Sequence, residues 1–142
     1  MLPDGEILKK VAEEILPIMT PGSILLDCST VDVKSTLEVA NMASKFDVGS
    51  LDAPVSGGIL GAEAGTLTFM VGGNETDFNK TQELLDIMGQ KSVLCGPAGS
   101  GQAVKICNNM ILGATMIATC EAFALADKLN LSREKMFEVV ST

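Results

Sequence analysis

Hydrophobic residues recur along the chain with two spacings, one typical of helices and one typical of buried strands. Apolar residues lie at helical spacing between residues 5 and 19, and Pro21-Gly22 ends that segment. A continuous apolar run over residues 24–28 follows, as in a parallel strand that is covered on both faces. We therefore predict an amphipathic helix followed by a buried strand.

The same alternation continues through the next seventy residues. Asp32 is placed to cap a second helix that ends near Phe46. The pattern then predicts, in order, a strand over 48–53, a glycine-rich loop, a strand over 67–71, a helix over 75–88 and a strand over 92–95. Alternating strands and helices predict an α/β fold with a doubly wound sheet.

The pattern changes after Gly101 to roughly thirty residues without proline, rich in Ala, Ile, Met and Leu. It predicts one long, largely buried helix of about 45 Å, and Ser132 starts a further short helix. A helix that is apolar on all sides needs neighbours on all sides, so we expect another subunit or further chain to complete this layer. No strand or glycine-rich turn precedes Leu2-Pro3, and we expect the first half of a nucleotide-binding sheet to be missing.

Composition narrows the classes of function. A net charge of −8, with no basic run longer than Lys9-Lys10, argues against nucleic-acid binding. Thr115, Thr119 and Glu121 interrupt the longest apolar stretch, which we expect to be too polar to span a membrane. No signal or transit peptide is recognisable at the start of the chain.

The chain contains no histidine, and its four cysteines show no C-x-x-C spacing. We therefore expect no metal site and no Ser-His-Asp triad, and we expect the cysteines to be small buried side chains. Acid–base chemistry in this chain falls to Lys, Asp, Glu or Cys.

Three segments are candidates for chemistry. Asp52-Ala-Pro-Val-Ser-Gly-Gly58 is a strand end that opens into a loop, and its small residues can turn backbone N–H groups toward a carboxylate; the alternative is a flexible loop. Lys105 lies in the second turn of the long helix, and Asn109 shares its face four residues on. The apolar Ile106 and Met110 beside Lys105 would reduce its hydration, which suits a proton shuttle; the alternative is a lysine reaching solvent from a helix start. Asp27-Cys-Ser-Thr30 ends a strand, where ligands bind in open α/β sheets; the alternative is helix capping.

Taken together and in order, these segments resemble the β-hydroxyacid dehydrogenase family over nearly the whole chain. The motifs that match the family are Leu2-Pro3, Asp27-Cys-Ser-Thr30, Asp52-Ala-Pro-Val-Ser-Gly-Gly58, Leu67-Thr-Phe-Met-Val-Gly-Gly73 and Gly99-Ser-Gly-Gln-Ala-Val-Lys105-Ile-Cys-Asn-Asn109. The last of them is most similar to the branch that oxidises 3-hydroxyisobutyrate.

The resemblance implies a fold and a site. The fold would be the C-terminal part of a Rossmann-like doubly wound sheet over residues 1–98, followed from 99 to 142 by a long helix opening an all-α domain. Lys105 would be the general acid/base, and Asn109 would position lysine and substrate. The substrate carboxylate would bind at Ser56, Gly57 and Gly58, and the nicotinamide side of NAD at Leu2, Pro3 and Thr30.

The resemblance also implies the reaction and its setting. The reaction would be NAD-dependent oxidation of 3-hydroxyisobutyrate to methylmalonate semialdehyde in valine degradation, with NADP left open because no G-x-G-x-x-G and no selecting acidic residue is present. We expect a homo-oligomer at full length, a mitochondrial location in a eukaryote and a cytoplasmic one otherwise. We expect the isolated 142-residue chain to be inactive.

Three alternatives compete with this reaction. Gln102 and Asn108 stand where the 6-phosphogluconate dehydrogenase branch has histidines, which argues against that branch. Tartronate and succinic semialdehyde reductases share the glycines and the lysine and are the enzymatic alternative. A non-catalytic assembly or binding module would lack the lysine, so Lys105 argues against it.

Overall fold

The computed structural model describes residues Met1–Thr142, which form two compact units, Met1–Ile106 and Cys107–Thr142. The helices and strands are, in chain order, α1 (Gly5–Ile15), a 3-10 turn (Leu16–Ile18), β1 (Ile24–Asp27), α2 (Val33–Ser44), β2 (Gly49–Asp52), β3 (Val55–Ser56), α3 (Gly58–Glu63), β4 (Leu67–Gly72), α4 (Glu75–Met88), β5 (Gly89–Gly96), α5 (Ser100–Lys128) and α6 (Arg133–Val140). The predicted α/β class with a long C-terminal helix is confirmed.

The five strands form one mixed sheet. β1 pairs with β2 and β4 with β5 in parallel, whereas β4 runs antiparallel to β2 and β3. The predicted doubly wound pattern therefore holds for the two parallel pairs, and the antiparallel contacts were not predicted. β3 and α3 lie within the segment predicted as a glycine-rich loop, because elements of two and six residues are too short to show a period.

Two element boundaries differ from the prediction for identifiable reasons. α1 ends at Ile15 and not at residue 19, since Pro17 has no N–H to donate and the chain continues as a 3-10 turn. β5 begins at Gly89, three residues before the predicted start. The exposed polar residues Gln90 and Lys91 give this end of the strand no apolar pattern by which to predict it.

The first unit has two apolar clusters. One lies between α1 and α2 and is made of Leu8, Ala12, Leu16, Val31, Val39, Ala43 and Val48. The other joins the sheet to α4 and is made of Leu51, Ala53, Leu67, Phe69, Val71 and Leu85. The second cluster contains Leu51 and Ala53, which flank Asp52 at the end of β2.

The second unit is apolar and exposed. Met110, Ile117 and Phe137 are 69%, 67% and 63% exposed, and Cys107 and Cys120 are exposed free thiols. The predicted burial of α5 and of these two cysteines is therefore wrong for this chain, because no described residue covers them. By length and composition, α5 is the single helix that is long and apolar enough to cross a membrane, a test that the core helices of water-soluble proteins also pass.

Candidate functional site

The buried carboxylate of Asp52 holds the start of α5. Its Oδ1 accepts the backbone N–H of Gly99 at 2.7 Å, and its Oδ2 accepts that of Gln102 at 2.9 Å. A side chain at Gly101 would collide with the carbonyl oxygens of Met70 and Asp52, so only glycine lets the helix approach the strands this closely. Asp52 therefore provides the acceptor that the first turn of α5 needs.

Asp52 is only 3% exposed, and burial raises its pKa above the ordinary value. The hydrogen bonds from Gly99 and Gln102 act in the opposite direction because they stabilise the charged form. Asp27 is its register partner on β1 and also raises the pKa of Asp52. Two carboxyl groups thus lie together at the carboxyl ends of β1 and β2.

The side chain of Gln102 joins α5 to the loop after β1. Its Nε2 donates to the carbonyl oxygen of Ser29 at 2.8 Å, and its Oε1 accepts the N–H of Val31 at 3.2 Å. The side chain is fully buried. One amide therefore binds the backbone on both sides of Thr30.

The three predicted cofactor residues lie at or beside this loop. The N–H of Leu2 donates to Ser29 Oγ at 2.7 Å, so the structure brings Leu2 to the segment that contains Thr30. Pro3 follows Leu2, and Pro3 and Thr30 are both exposed. Of the proposed capping residues, Asp32 is the N-cap of α2, and hydrogen bonds from Ser35 lower its pKa.

The predicted carboxylate site lies between β3 and α3. Ser56 pairs with Thr68 across the antiparallel strands, and Gly57 and Gly58 turn the chain into α3 with φ values of 130° and 62°. Both glycines are exposed. At these angles a side chain would strain the backbone, so the turn requires glycine.

Lys105 lies one turn after Gln102 in α5 and is partly exposed. Its amine forms no salt bridge and no side-chain hydrogen bond in the structure. Asn109 lies four residues further along the same helix, within the second unit, and is exposed. The roles of both residues remain predictions.

Sequence patterns identified the segments but not the side chains that join them. Asp52 is the last residue of β2, and Gln102 is a polar residue among small ones at a helix start. Both positions suggest a buried polar group, but only the fold shows that they bond to partners 47 to 73 residues away. Local spacing carries no information on such distant pairs.

The chain is similar to two protein families and to dehydrogenases from several organisms. A family described as the NAD binding domain of 6-phosphogluconate dehydrogenase matches residues 1–96, and one described as NAD-binding of NADP-dependent 3-hydroxyisobutyrate dehydrogenase matches residues 99–142. A probable 3-hydroxyisobutyrate dehydrogenase of Mycobacterium tuberculosis is 44% identical over 99% of this chain and 48% of its own length. The human mitochondrial 3-hydroxyisobutyrate dehydrogenase is 45% identical over 92% of this chain and 39% of its own length. The chain thus spans about half or less of the length of these relatives.

Solved structures agree with this likeness. The structure of M. tuberculosis 3-hydroxyisobutyrate dehydrogenase with L-serine matches with a TM-score of 0.95 at 44% identity, over 99% of this chain and 48% of that one. The 3-hydroxyisobutyrate dehydrogenase of Salmonella typhimurium matches with a TM-score of 0.84 at 29% identity, over 99% of this chain and 50% of that one. Both matches include α5, which is therefore similar to a helix of these dehydrogenases.

Proposed function

Because the chain belongs to the β-hydroxyacid dehydrogenase family, we propose that it forms part of an enzyme that oxidises 3-hydroxyisobutyrate to methylmalonate semialdehyde with NAD. The observation that carries the proposal is the position of Lys105. Its unpaired amine lies one helical turn after Gln102, whose amide binds both sides of Thr30. The helix that bears the acid/base is thereby bonded to the loop proposed to contact the cofactor.

The residues present fit one end of a dinucleotide. Ligands bind at the carboxyl ends of strands in open α/β sheets, and there Thr30 is exposed while the buried Oδ2 of Asp27 has no hydrogen-bond partner. A ligand bound at this site could donate a hydrogen bond to this unpartnered oxygen of Asp27. Leu2, Pro3 and Thr30 would hold the nicotinamide side, and this sequence contains no G-x-G-x-x-G for the pyrophosphate.

The proposed mechanism uses few groups of this chain. NAD, held by Leu2, Pro3 and Thr30 when bound, would supply the acceptor for the hydride that leaves the alcohol carbon. Lys105 takes the hydroxyl proton as the carbonyl forms, which is general base catalysis. Asn109, four residues on, would position the lysine and the substrate.

The turn at Gly57 and Gly58 is the proposed site for the substrate carboxylate. Ser56 offers a hydroxyl, and the two glycines expose backbone that no side chain shields. The M. tuberculosis relative was solved with L-serine, which carries a hydroxymethyl group one carbon away from its carboxylate. 3-Hydroxyisobutyrate has the same separation between hydroxymethyl group and carboxylate, so this ligand supports the substrate class.

A Gly57→Ala substitution tests this carboxylate site. The alanine methyl would meet Leu67 at 3.2 Å and strain a backbone whose φ is 130°. We expect KM for the hydroxyacid to rise about 10-fold, which corresponds to the loss of roughly one hydrogen bond to a charged group. Gly22→Ala is the matched control because Gly22 also has a positive φ, 85°, but lies in a turn before β1. Equal KM values for both variants would contradict the site.

We propose that the domain boundary lies between residues 98 and 99, as the ranges of the two matching families support. We also propose a role in valine degradation, a homo-oligomeric assembly and, in a eukaryotic source, the mitochondrial location named for the human relative.

The direct test is a substrate panel on the complete gene product. The assay would measure oxidation of 3-hydroxyisobutyrate, glycerate and 4-hydroxybutyrate, each with NAD⁺ and with NADP⁺. NADP⁺ is included because the second matching family is described as NADP-dependent. We expect 3-hydroxyisobutyrate with NAD⁺ to give the highest kcat/KM. A preference for another hydroxyacid would favour the semialdehyde reductases, and a folded protein that oxidises none would favour a non-catalytic module.

A further inference from the structure

We propose that Gln102 is a positioning residue, which sets the distance between the loop at Thr30 and the amine of Lys105. This inference rests on the proposed function and assigns a role to a residue that contacts neither substrate nor cofactor. Its basis is the pair of hydrogen bonds that the Gln102 amide forms with the backbone on either side of Thr30.

The geometry of this pair restricts Thr30 closely. Nε2 binds the carbonyl oxygen of the residue before it, and Oε1 binds the N–H of the residue after it. A planar amide that uses its donor and its acceptor in this way fixes both the place and the orientation of the short segment between them. Thr30 is thus exposed on a backbone segment that Gln102 holds through hydrogen bonds on both sides.

Gln102 is itself held firmly at its own backbone. Its N–H donates to Asp52 at 2.9 Å, and its side chain is 0% exposed. Breaking the amide contacts would leave a buried carbonyl oxygen and a buried N–H without partners, which proteins avoid. The contact between helix and loop is therefore stiff.

Lys105 follows Gln102 by three residues, so the two side chains leave the same side of the helix one turn apart. The loop held by Gln102 also receives the N–H of Leu2 through Ser29 Oγ, which adds a second cofactor-side segment. Hydride transfer requires the reacting atoms about 3–3.5 Å apart, and a misplacement of about 1 Å can cost 10²-fold in rate. A residue that fixes lysine and loop together would act mainly on kcat.

The test compares Gln102→Met with Gln82→Met in the complete gene product. Methionine keeps the size and removes the amide, and Gln82 is the matched control because its amide bonds Asp86 and Ser92 in α4 and β5. For Gln102→Met we expect kcat to fall about 10- to 100-fold. The KM values for NAD⁺ and for the hydroxyacid should change by less than about 3-fold, which is under 1 kcal/mol at about 1.4 kcal/mol per tenfold change. The deuterium isotope effect on kcat, with deuterium on the alcohol carbon, should rise because hydride transfer becomes slower.

Gln102→Asn is a second variant in case the first does not fold. It keeps the amide but shortens the side chain by one methylene, so it cannot reach both backbone groups, and the same changes are expected. An active wild type with unchanged kcat and isotope effect in the folded variants would overturn the inference while the proposed function stands. A wild type that oxidises no hydroxyacid would overturn both.

Discussion

The two units of the chain differ in how far their apolar side chains are buried and their polar side chains hydrogen-bonded. In the first, Met1–Ile106, apolar side chains form two buried clusters, and Asp52 and Gln102 bond to distant backbone groups. In the second, Cys107–Thr142, the large apolar side chains of both helices are mostly exposed. The first unit therefore contains its own stabilising contacts, whereas the second presents apolar surface of the kind that proteins normally cover.

This difference shows what an apolar pattern can and cannot tell. The sequence of α5 correctly predicted a long helix that is apolar all round, but it could not predict which atoms would cover it. Burial depends on partners as well as on composition. In the first unit the partners are within the chain.

The largest effect expected from this comparison is on stability. Phe69→Ala removes a side chain that is 1% exposed, and we expect a loss of about 3–5 kcal/mol in the free energy of unfolding. Phe137→Ala, at 63% exposure, should change it by about 0.5 kcal/mol or less. Urea unfolding of the 142-residue chain, followed by circular dichroism, measures both.

Equal losses for the two phenylalanine variants would contradict the comparison. One cause would be burial of Phe137 in solution by a second copy of the chain. A dependence of the unfolding midpoint on protein concentration would identify that case, since dimers are stabilised by mass action.

A smaller effect is expected from the carboxylate at the start of α5. Asp52→Ala leaves the buried N–H groups of Gly99 and Gln102 without an acceptor, and we expect a loss of about 2–4 kcal/mol. Asp86→Ala is the control, because Asp86 is exposed and accepts a single bond from Gln82. A change in Asp52→Ala no larger than in the control would show that Asp52 does not hold the helix.

The smallest effect concerns the ion pair between α5 and α6. Arg133 lowers the pKa of Asp127 below its ordinary value of 3.8 through paired hydrogen bonds. The pair therefore contributes stability that is fully present above that value and is lost as pH falls through the lowered pKa. Amide hydrogen exchange of α6, measured as a function of pH, should therefore show a loss of protection as pH falls, and Asp127→Asn should remove that pH dependence. An unchanged pH dependence in Asp127→Asn would exclude the ion pair as its cause.

Most of the fold could be predicted from spacing alone, because helices and buried strands longer than a few residues carry a period. α4 was predicted at its observed bounds, and Ser132 and Asp32 were identified as helix starts from their capping chemistry. β3 and α3 were missed because they are too short, and the antiparallel contacts of β4 were missed because pairing depends on tertiary packing.

The candidate site was predictable as segments and not as a network. Leu2, Thr30, Gly57 and Lys105 lie in motifs whose likeness to a family is visible in the sequence. The bonds of Gln102 to the loop at Thr30 connect residues more than seventy positions apart. No local pattern specifies such bonds, since they follow from the way β1, β2 and α5 converge.

The proposed chemistry depends most directly on one amine. In the complete gene product, kcat for 3-hydroxyisobutyrate oxidation would be measured for Lys105→Ala beside Lys91→Ala, an exposed lysine on β5. We predict a loss of about 10²–10⁴-fold for Lys105→Ala and no change for Lys91→Ala. A Lys105→Ala variant that retains the activity of the wild type would show that this lysine is not the acid/base.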